Sequence, residues 1–367
     1  MAERRRNGAR VAASRVALAL AGLAAILGGL ELALRATTDY RSLERRPWAA
    51  DDSAYVDHPF LPFVGRAGML REIDCPSGDE PTCRIRHNAH GFRTHEFPAS
   101  KAPEDLFVVC LGGSTTWGAA APTNAETWPE QLERLLQQRY PHRRVRVFNF
   151  GTTLANSAYS AVAFGLIGAH LRPDIVVVYH GFNDDGPMNA TNYLSDLSHF
   201  YRDLGLPLAW HGTQTSLPSW LRRSYAAMFV TDRIDRLSEA GSLSFYTTWP
   251  LPARKVSAET AAARVVANLE TIATMARSVG AVPVLATFQF FDPSLTAYRG
   301  AVNEAIRAHG RRTGTHVIDL DRAIPDYSDD LQFDDCHFTA RGRERVATEV
   351  FAGIVERNLI ADPSPRQ

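Results

Sequence analysis

Leu106-Phe107-Val108-Val109-Cys110-Leu111-Gly112-Gly113-Ser114-Thr115 is an apolar run that ends in two glycines and a serine. A run this short and this apolar reads as a strand buried on both faces, the pattern of a parallel sheet. Two glycines permit a sharp exit, and the serine hydroxyl then stands at the carboxyl edge of the sheet. Open α/β sheets bind their ligands at that edge. A Gly-Ser turn taken alone is only a turn. Its meaning depends on what the rest of the chain brings.

Three later segments supply partners in a consistent order. Asp334-Asp335-Cys336-His337-Phe338-Thr339 precedes a helical pattern over residues 339–359. A serine hydroxyl becomes nucleophilic when an imidazole takes its proton, and the imidazole works best when a carboxylate holds its other nitrogen. An Asp three residues before a His, in a loop leading into a helix, can fold back onto the same ring. Asp334 and His337 have that spacing, which favours Asp334 over Asp335. The competing reading is a helix entry capped by Thr339 or an Asp. Two strand ends fall between. Residues 145–150 run into Gly151-Thr152-Thr153, and residues 174–180 run into Gly181-Phe182-Asn183-Asp184. Acyl transfer needs fixed donors aimed at an oxyanion. Gly151 and Asn183 offer a backbone N–H and a side-chain amide, and the Ser114 N–H makes a third.

Rival motifs fail on spacing. An α/β-hydrolase elbow needs Gly-x-Ser-x-Gly, and Thr116 occupies the last position. No lysine follows the glycines as a P-loop requires. Gly112, Gly113 and Gly118 do not keep a dinucleotide fingerprint.

On these blocks the chain resembles the SGNH (GDSL-type) hydrolase superfamily, and the resemblance covers residues 106–359. It implies that Ser114 is the nucleophile, that Gly151 and Asn183 bind the oxyanion, and that Asp334 and His337 complete a triad. Gly113 and Thr115 replace the Asp and Leu of the family's first block, a difference of subfamily. The resemblance implies an α/β/α sandwich around a parallel, flavodoxin-like sheet. It also implies a serine esterase acting on carboxylic esters, without metal or organic cofactor. The same triad would serve an O-acyltransferase, and a non-catalytic envelope binding or assembly protein could retain the fold.

The alternation of elements agrees. Residues 127–140 are amphipathic, 157–171 and 257–279 read as helices, 282–290 as a strand, 298–312 as a helix and 315–320 as a strand. That is a βα pattern with helices on both faces. The pattern breaks over residues 186–255, an aromatic-rich stretch too long for a structureless loop. We expect a partly helical cap there, with Trp210, Trp220 and Trp249, together with Trp117 beside the serine, available to substrate.

At the N-terminus, Arg4, Arg5, Arg6, Arg10 and Arg15 precede an apolar run over residues 16–34, broken only by Glu31. About twenty apolar residues span a bilayer, and the arginines favour a cytoplasmic start. The alternative is a cleavable signal peptide, but the small residues form no cleavage pattern after Leu34. The expectation is an uncleaved inner-membrane anchor (residues 1–35), a linker and extension (36–102), and a periplasmic hydrolase domain (103–360). The substrate expected from that setting is an acylated carbohydrate or lipid, with O-acetyl groups on envelope carbohydrate foremost. Lys+Arg and Asp+Glu balance at 40 each, so no nucleic-acid footprint is present. The sequence names no protein partner.

Cys75 and Cys83 bracket a short loop that could close as a disulfide in an oxidising compartment. Cys110 reads as core, and Cys336 is a poorer nucleophile candidate than Ser114. His87-Asn88-Ala89-His90-Gly91-Phe92-Arg93, with His95 and Cys83 nearby, matches no compact zinc spacing, so no metal is expected. Its Asn-x-x-Gly-Phe-Arg element is similar to one found in membrane-anchored SGNH-like bacterial proteins. That likeness implies packing against the catalytic domain, with Arg93 lining the cleft.

Overall fold

The structure is a computed structural model that describes residues 2–37, 54–56, 58, 60–75, 80–189, 197, 224–227, 229–230, 256–289, 295–324 and 331–360. The chain divides into two compact units: Met1–Ala50 with Trp210–Leu251, and Asp51–Ala209 with Pro252–Gln367.

The larger unit is built on a five-stranded parallel sheet. Its strands are β5 (Asp105–Gly112), β6 (Arg144–Gly151), β7 (Ile175–Tyr179), β8 (Val282–Ala286) and β9 (His316–Ile318), in the order β6-β5-β7-β8-β9. Every residue of β5 and β7 is buried, as central strands covered on both faces must be. At the edge, β6 opens with exposed Arg144 and Arg146 and becomes apolar only toward its end. The helices form two packed groups. α3 (Trp128–Arg139) packs on α9 (Ala340–Glu356), which also meets the short α8 (Leu320–Ala323), while α4 (Ser157–Leu166), α6 (Ala258–Ser278) and α7 (Thr296–Thr313) pack together. The result is the expected three-layer α/β/α architecture. Three of the helices start on side-chain caps: Asn156, Ser257 and Thr339 accept N–H bonds from Tyr159, Thr260 and Gly342.

Sequence order and spatial order reverse beside β5, because the chain first adds β6 on one side and then β7 on the other. That switch point opens a crevice outside the carboxyl ends of β5 and β7. α2 (Ser114–Trp117) and α5 (Phe182–Asn189) begin there.

The extension expected as a linker is folded from residue 54 onward, where it is described. β1 (Tyr55–Val56) pairs with β2 (Val64–Gly65), and β3 (Leu70–Asp74) pairs with β4 (Thr82–Arg86), both antiparallel. A Cys75–Cys83 disulfide closes the second hairpin. Asn88 then organises the turn that follows: its Oδ1 accepts the His90 and Phe92 N–H groups, and its Nδ2 donates to His95 O. Beyond it, Thr94 Oγ1 accepts from Asn149 N–H and donates to Val147 O, capping the open edge of β6. Phe92 and Phe97 stack on Phe150 at 4.2 and 5.5 Å. A few aromatic anchors hold a segment whose composition reads as linker.

In the smaller unit, α1 (Ala2–Thr37) contains one stretch, Ala17–Thr37, long and apolar enough to cross a membrane. Most of residues 186–255, including Trp210, Trp220 and Trp249, lies outside the described residues.

Candidate active site

β5 ends at Gly112, and Gly113 turns the chain directly into α2, whose first residue is Ser114. A helix leaves its first N–H groups without intrahelical acceptors, so the Ser114 N–H points outward from the start of α2. Gly118 and Ala119 N–H groups close on the Ser114 carbonyl at 2.8 and 3.0 Å, which fixes the serine from behind.

His337 arrives from the loop before α9. Its Nε2 lies 2.7 Å from Ser114 Oγ, and its Nδ1 lies 2.7 Å from Asp334 Oδ2. The other Asp334 oxygen accepts the Cys336 and His337 backbone N–H groups at 2.9 and 2.7 Å. Burial works to raise the Asp334 pKa. The hydrogen bonds from His337 and the two N–H groups outweigh it and hold the carboxyl at about 2. The carboxylate is therefore charged at every pH at which an esterase would run. Phe333 stacks on the His337 ring at 5.7 Å, and Thr115 Oγ1 donates to Cys336 O, tying α2 to the histidine loop. Cys336 is buried, and burial together with Asp334 and Asp335 pushes its thiol well up. It is no nucleophile.

Asn183 sits in the first turn of α5. Its Nδ2 donates one hydrogen to Ala155 O at 2.9 Å and keeps a second. Gly113 leaves room for it, since a Cβ there would fall 2.4 Å from Asn183 Nδ2. Asp184 beneath it is fully buried and accepts both the N–H and the hydroxyl of Ser157, whose hydroxyl also accepts from Asn268. Burial raises Asp184 to about 6 against those bonds and lowers neighbouring His180 to about 3. These side chains staple the start of α5 to the start of α4. The sequence reading missed them, although Asp184 lies inside the block that pointed to Asn183.

Three expected contributions fall elsewhere. The Gly151 N–H is donated to Asn149 Oδ1 at 2.9 Å, so it is not a free oxyanion donor. Gly151 is small for another reason, because a Cβ would meet the Trp117 backbone N at 2.2 Å. The turn after it carries Ala155, whose carbonyl holds Asn183 Nδ2, and Leu154 there has φ +62°, a conformation uncommon outside glycine. Trp117 does not open to substrate. Its indole N–H faces His87 Nε2 at 3.4 Å, and its ring packs with Met69 and Ile85 of the extension. Arg93 does not line the cleft either. It is fully buried, donates to Gly118 O, Ala121 O and Asn124 Oδ1, and lies 4.9 Å from the Trp117 ring. Both residues instead brace the turn that follows the serine.

Two described groups bring ligand-type side chains together: Asp334, Cys336 and His337 at the serine, and His95, Glu130 and Glu133 on α3. In the second, His95 Nε2 lies 3.1 Å from each carboxylate. One imidazolium satisfies both.

The GDSL-like Lipase/Acylhydrolase family model matches residues 110–345. No curated protein matches the chain significantly. Solved structures similar to it include an α/β hydrolase enzyme from the metagenome of Lake Arreo, Spain (17% identity, 70% of this chain and 96% of that one, TM-score 0.41). Others are a psychrotrophic esterase from Pseudoalteromonas (14%, 69% and 99%, TM-score 0.41) and a catalytic mutant of an acetylxylan esterase from Geobacillus stearothermophilus (12%, 68% and 94%, TM-score 0.41). The family match takes in both the serine turn and the Asp-x-x-His loop and covers well over half of the chain. The chain belongs to the GDSL-like lipase/acylhydrolase family and is an ester-hydrolysing enzyme.

Proposed function

We propose that the enzyme hydrolyses its ester through a Ser114–His337–Asp334 triad. The observation that carries this reading is the unbroken pair of 2.7 Å contacts from Ser114 Oγ through His337 to Asp334 Oδ2. Ser114 Oγ attacks the acyl carbon while His337 Nε2 takes its proton. Asp334 holds Nδ1–H and stabilises the imidazolium. The Ser114 N–H and the spare hydrogen of Asn183 Nδ2 receive the developing oxyanion. His337 then protonates the leaving alkoxide, leaving an acyl-serine. A water molecule, deprotonated by His337, attacks that acyl group, and the returning proton frees Ser114 and the carboxylic acid.

The substrate in this reading is a short acyl ester, an O-acetyl group on envelope carbohydrate. It is supported by an apolar helix behind a run of arginines, which would anchor the enzyme in the inner membrane with its catalytic unit on the periplasmic face. A fluorophosphonate probe tests the nucleophile: it should label Ser114 and spare the Ser114→Ala variant. A panel of acetyl to decanoyl esters tests the acyl length, with acetyl expected to turn over fastest. Preference for long chains would overturn the acetyl assignment and leave the triad standing. Free acid released without any added acceptor separates hydrolysis from acyl transfer to a sugar.

A further inference from the structure

The apolar stretch of α1 holds one acidic residue, Glu31, and its carboxylate is bonded at both oxygens. Oε1 accepts from Arg35 Nε at 2.8 Å and from the Tyr225 N–H at 3.0 Å. Oε2 accepts from the Ser224 hydroxyl at 2.9 Å and from the Ala226 N–H at 2.8 Å. The Ser224 hydroxyl in turn accepts from the Ala227 N–H at 3.2 Å. Residues 225–227 are helical, and the opening N–H groups of a helix have no acceptors of their own. Two of these are capped by a carboxylate from α1 and the next by Ser224. The Arg35 guanidinium lies 4.8 Å from the centre of the Tyr225 ring. Glu31 is therefore the docking group for a piece of the insertion, and it does not sit in the apolar helix as an unpaired charge.

The depth of this contact points to a partner. Glu31 precedes Thr37 by six residues, which at ~1.5 Å per residue places the contact about 9 Å inside the end of the apolar helix. Interfacial helices bury their apolar face about 5–10 Å into the headgroup–acyl boundary. The sequence that begins at this contact, Ser224-Tyr225-Ala226-Ala227-Met228-Phe229-Val230, carries no charge, and Arg222, Arg223, Asp232 and Arg233 flank it. Tyr and Phe between charged flanks suit that boundary, and Val230 is exposed.

We propose that residues 224–230 are a membrane-interface element, seated in the lipid surface against the outer end of α1 and held there by Glu31. The proposal rests on α1 being a membrane anchor. The full chain carrying Val230→Cys is labelled with a nitroxide and reconstituted into phosphatidylethanolamine–phosphatidylglycerol vesicles. Cys75 and Cys83 are joined, and Cys110 and Cys336 are buried, so position 230 takes the label. Collisional relaxation by oxygen, which concentrates in lipid, is compared with that by a water-soluble nickel chelate. Oxygen should dominate at position 230, and Glu31→Ala should reverse that order. Ser224→Ala should shift it in the same direction, which guards against an effect of Glu31→Ala on helix insertion alone. A label at Ile26→Cys on α1 should report lipid in every variant. If position 230 reports water while position 26 reports lipid with Glu31 intact, the interface element is refuted. If position 230 stays in lipid without Glu31 and without Ser224, the docking role is refuted. If position 26 itself reports water, the anchor fails and the proposal with it. The proposed triad is untouched by any of these outcomes.

Discussion

Ser114 and His337 stand 223 residues apart in sequence and 2.7 Å apart in space. Each reaches that point through a short turn anchored behind it. Ser114→Ala or His337→Ala should remove activity by about a million-fold, the loss seen when a triad loses its nucleophile or base. Replacing Asp334 by Asn should cost about 10⁴-fold in kcat by favouring the wrong tautomer. These numbers are read from initial rates on a model ester with folding checked by circular dichroism. A Ser114→Ala enzyme retaining a tenth of the rate, with contaminants excluded, would sink the assignment. Asn183→Ala should cost roughly 3 kcal/mol of transition-state stabilisation, chiefly in kcat. Gly113→Ala offers an independent probe of the same donor. The added methyl would press on the Asn183 amide, a movable side-chain end. It should lower kcat toward that of Asn183→Ala while Tm changes little. An unchanged kcat in Gly113→Ala would mean that the amide has no fixed role.

Arg93 and Trp117 act at the scale of elements, because both support the turn between α2 and α3. The Arg93 guanidinium feeds two carbonyls and Asn124. Burial, with Arg343 nearby, lowers it only to about 9, so it stays charged at neutral pH. Arg93→Ala takes the donor from the buried Ala121 carbonyl, at about 1–3 kcal/mol, while Gly118 O keeps the Ala121 N–H and Asn124 Oδ1 keeps the Arg86 N–H. It should therefore lower Tm, while KM and the ranking of acyl esters stay as in the parent. Trp117→Phe should do the same more mildly. A changed ranking with an unchanged Tm would return both residues to the substrate cleft, where the sequence reading put them. The sheet was legible because β5 and β7 are continuous apolar runs; the serine and asparagine were legible because each follows such a run, and the Asp-x-x-His loop because its three-residue spacing leads directly into a helical pattern. Whether Trp117 faces a ligand or a neighbour depends on the β3–β4 hairpin, where β3 is mostly exposed and β4 turns only Cys83 and Ile85 inward, a pattern too short to mark a packing surface. The Gly151 misreading has a similar origin: a glycine at a strand end looks the same whether it donates its N–H or admits a helix backbone.

At the scale of the whole molecule, a titratable contact between the extension and the catalytic unit makes stability depend on pH. His95 ends the Asn88 turn, and its ring meets Glu130 and Glu133 of α3. The hydrogen bonds that the ring donates to these two carboxylates outweigh burial and raise the imidazole from 6.5 to about 10. A histidine whose folded pKa is raised stabilises the fold fully below its unfolded value and loses that contribution as pH climbs through the folded one. The window is therefore pH 6.5 to 10. Glu133 also accepts the Val147 N–H of β6, so the ion cluster bears on the sheet edge that Thr94 covers. The comparison variant is His95→Gln, which can still donate a hydrogen bond but cannot charge. Tyrosines, cysteines and arginines titrate alike in both proteins and cancel in the difference. The gap in Tm between parent and variant should be widest near pH 6, narrow steadily above pH 7, and close near pH 10.5. A gap that stays constant across that range would show that His95 contributes by shape alone and that the extension is held by its aromatic anchors, Phe92 and Phe97.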